Sequence, residues 1–197
     1  MDHSEPQGQQ GQAQQLRQLR QIDALVERLR AVRADVAAMA PRPLAAGALA
    51  AFEAAHQVVL PTAYRQLLET LGDGPVAPRI VYGRALTLAA CLDDPVFRSF
   101  HGQLATPFRY AGERPIALAW DEAADDYVDL TPLDGTLCLG SGGCDEIRVL
   151  VVSGSERGRV WDFCPGADHE LHPTGMDLLT WCIHWLTAKL REHGAAP

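Results

Sequence analysis

The chain contains Ile147-Arg148-Val149-Leu150-Val151-Val152-Ser153, then Gly154-Ser155-Glu156-Arg157-Gly158, then Arg159-Val160-Trp161-Asp162-Phe163. Val149 to Val152 is apolar without a break. A strand with one wet face alternates polar and apolar residues, so this run predicts a central strand covered on both faces. The glycine-flanked pentapeptide turns the chain, and residues 159–163 return as the partner strand of a hairpin. Residues 80–82, 116–120, 127–130 and 136–139 read as further short strands, bounded by Gly, Pro and Asp. Gly140-Ser141-Gly142-Gly143 reads as a turn, because no Lys follows and no helix opens there, as a phosphate loop would require.

Helices flank this strand-rich middle. Ile22, Leu25, Leu29, Val32, Val36 and Met39 recur at alternating spacings of three and four, with Val26 widening the stripe. That pattern predicts an amphipathic helix over residues 16–43, stopped by Pro41 and Pro43. The stripe is too short to decide between packing on the core and forming a homodimer seam. Residues 1–15, rich in Gln and Gly, are expected to be disordered. A second helix is expected over residues 44–56, with Leu49, Phe52 and Ala55 inward. A third starts at Leu60-Pro61 and ends at Gly72-Asp73-Gly74. The last helix spans residues 175–193, with Thr174 as its N-cap and Asp177 completing a variant capping box. Residues 44–193 thus form one α/β domain, preceded by a helix and a tail.

The formal net charge is −8. An acidic surface repels nucleic acid and anionic lipid and attracts basic proteins. The five cysteines, Cys91, Cys138, Cys144, Cys164 and Cys182, are odd in number and widely spaced. With no secretory signal and no apolar run near the roughly 20 residues that span a bilayer, they point to a reduced, cytoplasmic setting.

Catalytic signatures are missing. There is no G-x-S-x-G elbow, and Ser153 and Ser155 fall in the hairpin turn. The acid pairs Asp93-Asp94 and Asp125-Asp126 read as solvated loop residues. Cys164, His169 and His172 have zinc-compatible donors, but a structural site wants a fourth ligand, and none is evident. A plain polar loop is expected, with no metal and no cofactor. The charge distribution is more informative. Asp121, Glu122, Asp125, Asp126, Asp129, Asp134, Asp145 and Glu146 fall between Pro115 and Ile147, with no Lys or Arg among them. Trp120 and Tyr127 are interleaved. Aromatic anchors ringed by acids can make a hot-spot surface for a basic partner, and a solubilising loop with two core aromatics is the alternative. The candidate partner-binding residues are therefore Trp120, Asp121, Glu122, Asp125, Asp126, Tyr127, Asp129, Asp145 and Glu146.

Three segments together resemble the SUKH superfamily, the Smi/Knr-type proteins. One is Leu60-Pro61-Thr62-Ala63-Tyr64-Arg65-Gln66-Leu67-Leu68 with its following Gly-Asp-Gly turn. Another comprises Gly135 to Leu139, Gly143-Cys144, Leu150 to Gly154, and Glu156-Arg157-Gly158-Arg159-Val160-Trp161. The third is the terminal helix with Trp181 and Trp185. The likeness covers residues 44–190. It departs at Asp145, where glycine is usual, and residues 84–134 match poorly. The resemblance implies a single α/β (α+β) domain of mostly antiparallel sheet surrounded by helices, here with an extra N-terminal helix. It implies no catalytic residues. It further implies an immunity protein that binds a cognate toxin, such as a nuclease or another nucleic-acid-modifying effector, and occludes its active site. The alternative within the superfamily is a regulatory scaffold; a hydrolase with an unrecognised site is a weaker third reading.

Overall fold

The computed structural model describes residues 7–33, 43–73, 80–81, 84–85, 88, 103–143, 146–165 and 167–195. Helices α1 (Gln7–Val32), α2 (Ala46–His56) and α3 (Thr62–Thr70) come first. The short strands β1 (Ile80–Val81), β2 (Arg84–Ala85), β3 (Ile116–Ala117), β4 (Trp120–Asp121) and β5 (Asp126–Tyr127) follow. A 3-10 turn at Thr131–Leu133 leads into β6 (Thr136–Gly143), β7 (Glu146–Val151), β8 (Arg159–Phe163) and β9 (Glu170–Asp177). Helix α4 (Leu178–Glu192) closes the chain, which is an α+β fold.

The main sheet is antiparallel throughout and runs β3-β9-β8-β7-β6. β7 lies between β6 and β8, so the apolar run occupies an interior strand, as its composition predicts. Alternate residues serve two cores. Leu150 and Val152 join Leu137, Leu139 and Val160 beneath α1–α4. Val149 and Val151 join Ile147, Trp161, Phe163 and Leu171 on the other face, under Phe108, Leu118 and Leu133. All four residues from Val149 to Val152 are buried, which is why no polar residue interrupts them.

Four local expectations are corrected. Helix α1 begins at Gln7, so residues 7–15, expected disordered, are helical; Gln and Ala are good helix formers, enough to extend a helix anchored further along. It ends at Val32 rather than at the prolines, and Val36 and Met39 lie outside the described residues. Residues 140–143 continue β6, with register shifts that absorb the glycines, instead of turning. Residues 170–177, read as a loop and helix cap, form β9. The N-cap of α4 is therefore Asp177, which accepts from the Thr180 N–H at 2.9 Å, and Thr174 instead donates its hydroxyl to Val160 O.

Leu19, Ile22, Leu25, Val26 and Leu29 of α1 are buried in the helix-side core of the same chain, and Gln18 reaches Thr180 of α4. Of the stripe considered as a dimer seam, Ile22, Leu25 and Leu29 are thus occupied internally, whereas Val32 is exposed. Arg157, in the β7–β8 turn, donates to Val59 O, Leu60 O and Val152 O, which ties the start of α3 to the hairpin. No described helix is long and apolar enough to cross a membrane.

Behind β7 the chain passes so close that side chains are excluded. Gly154 has φ +104°, and a Cβ built on it would sit 2.5 Å from the Phe108 carbonyl oxygen. Gly175 also has a positive φ, +70°, but open space around it. Gly175→Ala should therefore cost only the backbone term, about 1–2 kcal/mol. Gly154→Ala must in addition displace the backbone of Phe108 from the parallel bridge that joins these two residues. Denaturant unfolding of both variants should show a clearly larger loss for Gly154→Ala; equal losses would contradict the close approach.

Candidate functional site

β7 begins, β8 ends and β9 begins at one end of the sheet, and the short hairpin β4–β5 stands beside it. Trp120 pairs with Tyr127 and Asp121 with Asp126. The four-residue loop between them is organised by Asp121, whose Oδ1 accepts from the Ala123 and Ala124 N–H groups at 2.9 and 3.2 Å. Asp125 adopts a left-handed φ of 53°, which Asp tolerates better than most side chains. Asp121, Glu122, Asp125 and Asp126 are all exposed.

The aromatic residues of this hairpin are neither free anchors nor full core residues; each is half-buried. Tyr127 leans on core Phe163, with ring centroids 5.6 Å apart. Trp120 meets Tyr127 edge-on at 4.8 Å and stacks on His169 at 4.8 Å with 17° between the planes. The Tyr127 hydroxyl and His169 Nδ1 are 3.0 Å apart, a hydrogen bond that fixes the imidazole. His169 itself has φ 56°. The loop before it is cinched by one carbonyl: Cys164 O accepts from Ala167, Asp168 and His169 N–H groups at 3.1–3.3 Å. A core phenyl, a tyrosine, a tryptophan and a histidine thus form one continuous platform, rimmed by the hairpin acids.

The acidic stretch does not act as one surface. Asp129 accepts from Thr131 through both its backbone N–H and hydroxyl, and these bonds hold the carboxyl below its usual range. Asp134 accepts from the Gln103 N–H. Both serve as local loop ties. Glu146 pairs with Arg148 at 2.9 Å, at the start of β7 rather than in the hairpin. Asp145 lies outside the described residues. The exposed cluster that the structure brings together is Asp121, Glu122, Asp125 and Asp126 around Trp120 and Tyr127.

The structure adds residues to this sheet end that the sequence reading did not select. Asp162 of β8 stands between Arg148 and His172 in register, with Arg148 Nε 2.8 Å from its Oδ1. Burial raises the Asp162 carboxyl, Arg148 opposes that rise, and Glu146 adds to it. Burial likewise pushes up the Cys164 thiol, and Asp168, Asp162 and Glu146 push it further. The Cys182 thiol, packed between α4 and the core, is raised by burial to about 12. Neither is an activated nucleophile, since activation requires a lowered thiol pKa. The trio Cys164, His169 and His172 does not converge. His169 faces the aromatic platform, whereas His172 faces Asp168 and Glu170.

No family model matches this chain, and neither a curated protein nor a solved structure matches it. The site therefore stands on its own geometry.

If the platform is braced by stacking and one hydrogen bond outside the cores, its residues should be separable from folding. Tyr127→Phe should cost about 0.5–1.5 kcal/mol, the worth of one ordinary hydrogen bond. Trp120→Ala should leave a single cooperative melt with a lowered midpoint. A Trp120→Ala protein that has lost its cooperative transition would show that Trp120 belongs to the core.

Proposed function

We propose that this chain is a non-enzymatic binding protein that neutralises a basic toxin by covering its active site, in the manner of the SUKH immunity proteins that its sequence resembles. The observation that carries the reading is the hairpin itself. Asp121 and Asp126 face each other directly across a two-residue ladder, an arrangement that destabilises an isolated hairpin. Glu122 and the left-handed Asp125 add two more charges in the connecting loop. Asp121 and Asp126 also accept local backbone N–H groups, but Asn would make such bonds and tolerate the left-handed φ equally well, so the charge itself adds nothing to folding. A cationic partner relieves it, and the half-exposed Trp120 beside it offers the aromatic area that interface hot spots favour.

The division of labour follows from position. The exposed acids steer a basic partner and set its orientation, while Trp120, held flat by His169, makes close contact once docked. A toxin that handles nucleic acid carries a basic groove for phosphates, so an acidic surface competes for the same charges. Neither nucleic acid nor a membrane surface is a fitting partner for this face. The cytoplasm is the proposed site of action, where such a toxin must be stopped and where thiols such as Cys138 and Cys182 stay reduced.

The test starts with the product of the gene adjacent to this one. Expressed alone in a bacterial host it should arrest growth, and coexpression of this chain should restore growth; failure to restore it overturns the functional reading. With the purified pair, Asp125→Lys combined with Asp126→Lys should slow association by about tenfold and flatten its dependence on salt, because steering charges act through a screened field. Dissociation should change far less. An unchanged association rate would remove the hairpin from the interface.

A further inference from the structure

Beyond that docking role, and independently of it, the geometry points to a divalent metal site formed by Asp168, Glu170 and His172, taking zinc or a similar borderline transition ion. One donor atom from each lies within 4.8 Å of the other two. His172 Nε2 is 2.8 Å from Asp168 Oδ2 and 3.8 Å from Glu170 Oε2. Donors on a tetrahedral zinc, each about 2.0–2.2 Å from the ion, stand about 3.4 Å apart. The two His172 separations bracket that value, and the carboxylates of Asp168 and Glu170 lie within 4.8 Å of each other, so side-chain shifts of up to about 1.5 Å would admit the ion.

The backbone prepares the cluster. Glu170 and His172 are alternate residues of β9, so both side chains project from the same face of the strand. Asp168 sits just before the strand, and its two oxygens have separate tasks: Oδ1 accepts from the Glu170 N–H at 3.0 Å, while Oδ2 faces His172. Such an outer hydrogen bond orients a ligating carboxylate in known metal sites. Asp162 lies opposite His172 on β8, where Arg148 pairs with it. The present hydrogen bond to Asp168 needs a proton on Nε2; on binding, that proton leaves for Nδ1 or for solvent, and Nε2 offers its lone pair to the ion.

The donor chemistry selects the class of ion. An imidazole with two carboxylates suits zinc and its neighbours, whereas calcium and magnesium prefer all-oxygen shells. Three protein ligands leave a fourth position, open to water or to a partner's side chain. The ion would also brace the loop that presents His169, because Asp168 and Glu170 flank that residue in the chain. The site would thus stiffen the aromatic platform from behind.

The test uses the full-length protein, stripped with a chelator, and zinc alone in competition with a fluorescent chelator. One equivalent should bind and raise the thermal midpoint, reversibly on renewed chelation. Asp168→Asn with His172→Ala should weaken binding by at least about tenfold, as should the milder Glu170→Gln should the double variant fail to fold. Cys164→Ser should bind zinc as the parent does, which separates this cluster from the trio Cys164, His169 and His172. No zinc uptake by the parent would overturn the proposal, as would undiminished uptake by folded variants or loss of uptake in Cys164→Ser.

Discussion

Everything else in the molecule depends on the two-sided burial of β7. Leu150, with Val152 just past the strand's end, presses into the helix-side core while Val149 and Val151 press into the opposite one. Neither layer is complete without the other, because the same four consecutive residues supply apolar surface to both. Burying such side chains contributes about 1.5–3 kcal/mol each. That gain fixes β7 in the sheet interior, holds β6 and β8 against it, and puts the start of β7, the end of β8 and the start of β9 at one end. The candidate sites occupy that end because the core excludes charge everywhere else along β7.

The same constraint explains the division between rigid and expendable parts of the site. Phe163 is fully buried, Tyr127 leans on it, and Trp120 and His169 lie one step further out. Order is passed outward from the core by ring contact, so the platform is preorganised although its outer members are half-exposed. The hairpin acids are tied only locally, Asp121 to the Ala123 and Ala124 N–H groups and Asp126 to that of Tyr127, and their side chains stay exposed. Under the proposed docking role, such preorganised aromatic area would lower the ordering cost of binding, which is where affinity between proteins is commonly lost.

The fold was legible in the sequence where residue pattern and burial coincide. The apolar run at Val149–Val152, the return strand over residues 159–163 and the presence of a last helix all read directly. β9 did not, because only Leu171 of its eight residues is fully buried, and His172, Pro173, Thr174 and Gly175 carry loop chemistry. Its pairing with β8 is decided by partners distant in sequence. Missing β9 also displaced the helix cap from Asp177 to Thr174. At the site, the excess of acid around Trp120 and Tyr127 was legible. Their pairing with each other was not, since two-residue strands give no periodic signal. His169 was noticed as a metal donor and proved to be an aromatic partner, a role set by the fold rather than by spacing. Asp168 and Glu170 are ordinary loop acids until β9 aligns them with His172.

The central claim is that the acidic, aromatic end of the sheet is a preformed docking surface. Amide hydrogen exchange, followed with and without the protein encoded by the adjacent gene, tests it most directly. The account predicts that binding slows exchange across residues 120–127 and 164–170, while β7, already protected by its two cores, changes little. Protection confined to α1 and α4, with residues 120–127 exchanging as in the free chain, would contradict it.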